Sequence, residues 1–446
     1  MTYTEAIQFL YGLGLFGARF GLETTRTLAE RAGNPQDRLR FIHVAGTNGK
    51  GSTCAILESI YRATGLRVGL FTSPHLVSFR ERIQVNRKLI SEADVVRLVS
   101  AVRKTSSESR LQAVPEPAKT GTPNEDAHPT LFEFVTVMAL RYFAEQECDL
   151  VIWETGLGGR LDATNIVTPL ASVITNIQLD HQQWLGNTLA EIAAEKAGII
   201  KAGVPVLTAT SEPEALAVIQ QMAQALRAPL TCVAAVSRFR IPDPTSLPLL
   251  GDHQQLNAAL ALATVDVLQP QMPVSAGQLR TGLAQVNWPG RLQLVTRPGG
   301  QQILLDGAHN LAGVEALAVG LRQHFPQARP TLILGMLADK DWRPMCARLA
   351  GLATRILTVP VGSERTAKAE ELAAVCRATL PMATLECSSL AEAAQRTAND
   401  PFIVITGSLY LVGEALELLG LGPAGDPSER GLNDWGGGKS QQSDKY

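Results

Sequence analysis

Short, almost wholly apolar runs alternate along this chain with stretches of helical pattern. That alternation limits the possible folds more than any other feature. FIHVA (41–45), RVGLFT (67–72), LVIWE (150–154), ASVITNI (171–177) and VPVLTA (204–209) come first. Runs within QILLDGAHN, TLILGML, RILTVPV and FIVITGS follow later. A strand that is apolar at nearly every position has no side to give to water. It must be covered on both faces, as in a parallel sheet whose crossovers are helices. In the first intervening helix, Cys54, Leu57 and Tyr61 share one face, with Ile56 and Ile60 beside them. The series is broken near NWPGR (287–291), where Trp-Pro-Gly ends any regular element. The expectation is therefore α/β: a large N-terminal domain over 1–288 and a smaller one over 289–424.

Composition narrows the function classes. The 446 residues are 45% apolar and 5% aromatic, with a formal net charge of −2 and no basic cluster. Such a balance predicts neither a nucleic-acid nor a membrane partner. Six cysteines stand far apart, without a C-x-x-C pair, which fits a reducing compartment rather than a disulfide framework or zinc site. The apolar patch IQFLYGLGLFG near the N-terminus lacks a basic leader, and no run of eighteen apolar residues occurs. A cytoplasmic protein is expected. Two polar segments stand apart: a proline-rich stretch over 106–129 reads as a mobile insertion. The tail over 425–446 reads as disordered, because it has too little apolar area to offset its ordering entropy.

Chemistry concentrates after the first strand, at Gly46-Thr47-Asn48-Gly49-Lys50-Gly51-Ser52. Glycines let the backbone approach an anion, successive N–H groups and the positive helix end favour negative charge, and Lys50 supplies a mobile cation. Thr47, Asn48, Gly49, Lys50, Gly51 and Ser52 are thus candidate ATP-phosphate contacts. The loop differs from G-x-x-x-x-G-K-[ST] in the place of its first glycine and in Gly51, which separates lysine from hydroxyl. Magnesium accompanies most rearrangements of ATP phosphates, and doubly wound sheets bind ligands at the carboxyl ends of their strands. Ser73, Glu154 and His181 stand at such ends.

HVAGTNGKGS resembles the loop of the folylpolyglutamate synthase (FPGS) and dihydrofolate synthase family, relatives of the Mur ligases. The likeness extends through SPHLVSFRERIQVN, WETGLGGRLDATN, LDHQQWLG, EKAGIIK, WPGRLQ, LDGAHN, GMLADKD and ITGSLYL. In the Mur branch the lysine is generally followed directly by Ser or Thr, so Gly51 favours the folate branch. The resemblance implies a P-loop-type, doubly wound, mostly parallel N-terminal domain and a Rossmann-like C-terminal glutamate-ligase domain. It implies one or two Mg²⁺ ions on Ser73, Glu154 and His181, and a carbamate on Lys196. A helix lysine pairing with Glu195 or Glu191 is the bland alternative for Lys196. Asn257 is implied at adenine, and Arg291 and Asp306 at the nucleotide from the second domain. His309 is implied at glutamate or the acyl phosphate, with Lys50, Lys196 and His309 as the catalytic set. Ser408 and Tyr410 would line the amino-acid pocket. The pterin side would comprise Gly17, Ala18, Arg19 and Phe20, then Thr130, Leu131, Phe132 and Glu133, then Leu161, Asp162 and Ala163. Arg19 departs from the acidic loop of some bifunctional members, whereas GGRLDATN is similar to theirs. The implied activity is ATP-dependent addition of L-glutamate to folates, and to dihydropteroate, by a monomer working through an acyl phosphate. Rival readings are a Mur-type UDP-sugar ligase, a nucleotide-binding protein without turnover, and a simple P-loop hydrolase.

Overall fold

A computed structural model describes residues 1–14, 21–107, 128–233, 247–425 and 427–434. The expected pterin loop Gly17–Phe20 lies outside the described residues, as does most of the expected insertion. Its first two positions, 106 and 107, close the helix Glu92–Ser107.

Fourteen strands occur among the described residues, in two sheets. The first holds β1 (Phe41–Ala45), β2 (Val68–Phe71), β3 (Ile83–Val85), β4 (Lys88–Leu89), β5 (Leu150–Glu154), β6 (Ala171–Ile174), β7 (Val206–Thr208) and β8 (Leu230–Cys232). Their spatial order is β4-β3-β2-β5-β1-β6-β7-β8, and every pairing is parallel except the two that β3 makes with β2 and β4. The second holds β9 (Gln293–Thr296), β10 (Gln302–Asp306), β11 (Thr331–Leu334), β12 (Arg355–Thr358), β13 (Thr384–Glu386) and β14 (Phe402–Thr406). Its order is β13-β12-β11-β14-β10-β9, with β9 antiparallel at the edge.

The apolar runs fold as their patterning requires. Every residue of β1, β5 and β14 is buried, because helices cover both sheet faces. On one side of the first sheet, Ile56, Leu57 and Ile60 of the helix Lys50–Arg62 pack with Leu260 and Ala261 of the helix Asp252–Leu268. On the other side Trp153 sits between Phe41 (5.6 Å between ring centroids) and Phe71 (4.5 Å). Trp153 is fully buried, and truncating such a side chain to alanine costs about 3–5 kcal/mol. Capping boxes at Thr130/Glu133, Thr188/Glu191 and Ser275/Gln278 fix where three helices begin.

One expectation fails. The segment over 425–446 is not wholly disordered: Pro427–Asn433 forms a 3₁₀ turn, with Glu429, Leu432 and Asn433 buried. It contributes little apolar area, as its composition implies. Charge-assisted hydrogen bonds to buried partners dock it instead.

Candidate active site

The phosphate loop leaves the end of β1 and runs straight into the helix Lys50–Arg62. Gly49 caps that helix at φ +87°, a backbone region that strains other residues, and a Cβ there would lie 2.4 Å from the Asn257 amide oxygen. Asn257, expected at adenine, therefore packs directly on the loop, while its Nδ2 donates to Gln254 (3.0 Å). Gly51, the extra residue of the motif, has a specific cause. A Cβ there would lie 2.7 Å from the indole of Trp288, which comes from the Trp-Pro-Gly break. The interdomain linker thus presses on the nucleotide loop, and Arg87 lies over the same indole, 5.6 Å from its centroid.

Asn176 and Gln178, which follow β6, hold the loop from the side. The Thr47 N–H donates to the Asn176 carbonyl (2.8 Å) and the Asn48 N–H to its side-chain oxygen (2.8 Å). Lys50 Nζ folds back onto the Gly46 and Thr47 carbonyls (3.1 and 3.3 Å). Lys196 Nζ reaches the same Gly46 carbonyl at 2.8 Å. Lys196 is buried and pairs with neither Glu195 nor Glu191, since Glu195 bonds Arg160 and Glu191 closes a capping box. Desolvation first, and then the neighbouring Lys50 charge, lower the Lys196 pKa to about 7.

Glu154 ends β5 with its carboxylate buried, and burial pushes its pKa to about 7, against the pull of Lys50, the Ser73 N–H, Arg291 and Arg82. That N–H donates to Oε2 at 3.0 Å. The adjoining Thr155 hydroxyl is buried without a hydrogen-bond partner among the described residues. A desolvated carboxylate at a strand end, half-neutral near pH 7, is a position that a divalent cation would favour in its ionised form. Ser73 and Glu154 are thus brought together and fit a magnesium site. His181 stands on left-handed backbone (φ 52°) with its Nε2 3.9 Å from Asp180, and burial lowers its pKa to about 3. Among the described residues no three His, Cys, Asp or Glu side chains form a ready-made metal cage.

The C-terminal domain supplies the opposite wall. Asp306 ends β10, accepts from the Leu292 and Ala308 N–H groups (2.9 and 3.0 Å), and is raised in pKa by burial, with Arg291 opposing. Arg291 is half-buried beside this turn: its guanidinium donates to the Gly290 carbonyl (3.2 Å), burial lowers its pKa, and the Asp306 and Glu154 charges oppose that shift. His309 bonds the Gly307 carbonyl through Nδ1 (2.8 Å), and its Nε2 lies 4.0 Å from Asp180.

Sequence reasoning missed the junction around Asp180. This N-domain carboxylate accepts from Lys340 Nζ (2.7 Å) and Asn310 Nδ2 (3.1 Å), while Asn310 also donates to the Asn48 side chain (3.0 Å). Burial opposes its ionisation, but His181, Lys340 and His309 hold Asp180 well below the usual carboxylate range. Asp180, Asn310 and Lys340 all lie inside quoted motifs (LDHQQWLG, LDGAHN, GMLADKD). Only the packing of one domain on the other shows that they meet.

The remaining candidates are placed as follows. Thr130 and Glu133 bond each other as a capping box. Leu131 packs against the N-terminal-helix side of the sheet, and Phe132 lies over Gly156, where a Cβ would approach its ring to 2.5 Å. Asp162, between Leu161 and the buried Ala163, accepts from the N–H groups of Gly156 (3.0 Å), Leu157 (2.8 Å) and Thr164 (3.0 Å), and from the Thr164 hydroxyl. It shapes the turn after β5. Ser408 caps the helix Leu409–Leu418. The Tyr410 hydroxyl donates to Asp434 (2.8 Å). No described helix is long and apolar enough to cross a membrane.

Residues 290–409 match the Mur ligase, glutamate ligase domain. Over 434 residues the chain is 37% identical to a dihydrofolate synthase/folylpolyglutamate synthase of Bacillus subtilis, covering 92% of this chain and 98% of that one. An FPGS–AMPPCP–folate complex is 34% identical and superposes with a TM-score of 0.77, over 94% of this chain and all of that one. Escherichia coli FolC in complex with DHPP and ADP is 31% identical with a TM-score of 0.80, over 94% and 98%. The UDP-sugar reading gains no support from them. The chain belongs to the dihydrofolate synthase/folylpolyglutamate synthase family of the Mur ligase superfamily.

Proposed function

We propose that this chain joins L-glutamate to the carboxyl group of folates, and of dihydropteroate, in an ATP-dependent reaction through an acyl phosphate. The observation that carries the reading is the meeting of the phosphate loop with the C-terminal domain, where Asn310 donates to the Asn48 side chain (3.0 Å) and Lys340 to Asp180 (2.7 Å). A carboxylate is a poor electrophile because charge and resonance resist addition. Its oxygen therefore attacks the γ-phosphorus of ATP, the β–γ bridging P–O bond breaks, and ADP leaves with that electron pair. The glutamate amine next attacks the acyl carbon and phosphate departs, with the amine giving up a proton.

Within this scheme Thr47, Asn48, Gly49, Gly51 and Ser52 cradle phosphates, and Asn257 faces adenine. Lys50 and Arg291 stabilise charge on the transferring group from opposite walls. Ser73, Glu154 and His181 would hold magnesium, one ion or two, which when bound neutralises phosphate charge and orients the leaving group. Lys196, lowered to about pKa 7, offers the neutral amine that adds to CO₂ with loss of a proton. The resulting carbamate would give the site an anion in place of a repelled cation. His309, with Nδ1 committed to the Gly307 carbonyl, presents Nε2 as acceptor to the incoming amine. Gly17–Phe20, Thr130–Glu133 and Leu161–Ala163 form the pterin side, Asp162 acting through the turn it organises, and Ser408 and Tyr410 border the glutamate pocket. The enzyme works as a monomer in the cytoplasm.

The test is incubation with ATP, magnesium and glutamate, offering tetrahydrofolate and dihydropteroate separately. Each should yield a product heavier by one glutamyl unit, with stoichiometric ADP. ADP release without glutamate, or no heavier product from any pterin, would overturn the reading.

A further inference from the structure

The docked C-terminal segment touches both domains: it bonds residues between 75 and 82 of the first, and Ser363, Arg365 and Tyr410 of the second. Its Glu429 is fully buried and its carboxylate accepts from the Phe79 N–H (2.6 Å), the Ser78 hydroxyl (2.9 Å) and the Tyr3 hydroxyl (3.0 Å). A buried carboxylate is tolerated only when hydrogen-bonded this completely. Beside it His75 accepts from Arg82 Nε at Nδ1 (2.9 Å), which leaves Nε2–H to donate to the Glu429 carbonyl (2.9 Å). Arg82 also donates to the Asn433 side chain (2.5 Å), whose Nδ2 donates to the His75 carbonyl (3.0 Å). Apart from Tyr3, which opens the first helix, these partners sit on the segment that starts at Ser73, the residue whose N–H holds Glu154.

The other side of the segment grips the C-terminal domain. Asp434 accepts from the Ser363 hydroxyl (2.7 Å), the Tyr410 hydroxyl (2.8 Å) and Arg365 Nε (3.3 Å), and Arg430 pairs with Glu417. Arg365 in turn bonds Asp339 (3.1 Å), the neighbour of Lys340, which reaches across the cleft to Asp180. Val77, on the Ser73 loop, is itself part of the C-terminal domain's apolar core, beside Val412 and Ile405.

We infer that the segment Pro427–Asp434 is an interdomain strap that sets the register of the two walls of the cleft. Glu429 and Asp434 are its positioning residues: neither touches a reacting atom, and each acts through the loops it holds. Because cleft chemistry depends on alignment across two domains, a small slip costs rate without removing the phosphate cradle.

The strap rests on the ligase reading only for its kinetic readout. The test compares Glu429→Gln and Asp434→Asn with the parent protein by kcat, ATP dissociation constant, melting temperature and amide hydrogen exchange. Asp434→Asn keeps the residue's size and partial exposure, so it serves if Glu429→Gln does not fold. The expected result is a kcat lower by about tenfold or more, by analogy with small misplacements in other active sites, at unchanged ATP affinity and, for Asp434→Asn, a nearly unchanged melting temperature. Exchange should also rise across residues 74–82, although Asp434 contacts only the C-terminal domain. Unchanged kcat in folded Asp434→Asn, or faster exchange confined to residues 361–366, would overturn the strap. If the parent protein transfers no glutamate, the ligase reading fails, while the exchange result still decides the strap.

Discussion

The two walls of the cleft are built on different principles. The N-terminal wall is backbone and packing. Gly49 and Gly51 leave no room for a side chain against Asn257 and Trp288, and the carbonyl of Gly46 receives two lysines. The C-terminal wall is charge, with Arg291 and the buried Asp306 on its own side and Lys340 and Asn310 reaching Asp180 of the other domain. A packed loop exists before ligand arrives, whereas a charged wall has its meaning only when the domains meet. The packed backbone of the first should therefore govern nucleotide binding, and the cations of the two walls, Lys50 and Arg291, the rate once nucleotide is bound.

Lys50→Ala breaks this contrast most severely if it is correct. Turnover should fall by about 10³-fold or more, as for removal of a principal transition-state cation, with the melting temperature nearly unchanged. Glutamate-dependent ADP release measures the first, and calorimetry the second. Arg291→Ala attacks the opposite wall, with an expected loss of about 10²-fold in kcat and an ATP dissociation constant close to that of the parent. Equal losses in kcat and in ATP affinity would erase the distinction between the walls.

Gly51→Ala tests packing apart from charge. Its Cβ would press on Trp288 at 2.7 Å, so a destabilisation of about 1–3 kcal/mol is expected, together with weaker ATP binding. Trp288→Ala in the same chain should recover part of both, as denaturation and ATP titration would show. No recovery would mean that the linker does not press on the loop.

The smallest effect is a pH signature of the buried pair. Glu154 is raised from 4.5 to about 7 in the folded state. It binds more protons folded than unfolded between those values, so its contribution to stability declines as pH rises from 4.5 to 7. Lys196 is lowered from 10.5 to about 7. Its contribution is complete above 10.5 and declines as pH falls towards 7. Together the two give a shallow stability minimum near pH 7 in metal-free protein. Glu154→Gln should flatten the acid limb and Lys196→Met the alkaline limb in melting temperature against pH. Saturating magnesium should flatten the acid limb too, by favouring the carboxylate.

The same contrast explains what could be read from the sequence. β1, β5 and the phosphate loop were legible because their signals are local: continuous apolar runs, a strand before and a helix after, glycines and one lysine. β3, β4 and β13 have two or three residues each and no pattern to detect. β9 alternates half-buried and exposed positions just past the Trp-Pro-Gly break, so it carries no continuous apolar run. The motif singled out Gly51 but not its partner Trp288, some 240 residues away. Asp180 and Lys340 were inside recognised motifs without a role, because their pairing belongs to the domain junction. The docking of Pro427–Asn433 was hidden for a related reason: Leu432 is its main apolar contribution, and buried charge does the remainder.

The most direct test of the central claim is a crystal structure with a non-hydrolysable ATP analogue and magnesium. The account predicts the triphosphate along residues 46–52, its γ-phosphate between Lys50 and Arg291, and the metal on Ser73 and Glu154. A triphosphate bound elsewhere, or one lying on the loop with Arg291 turned away, would contradict it.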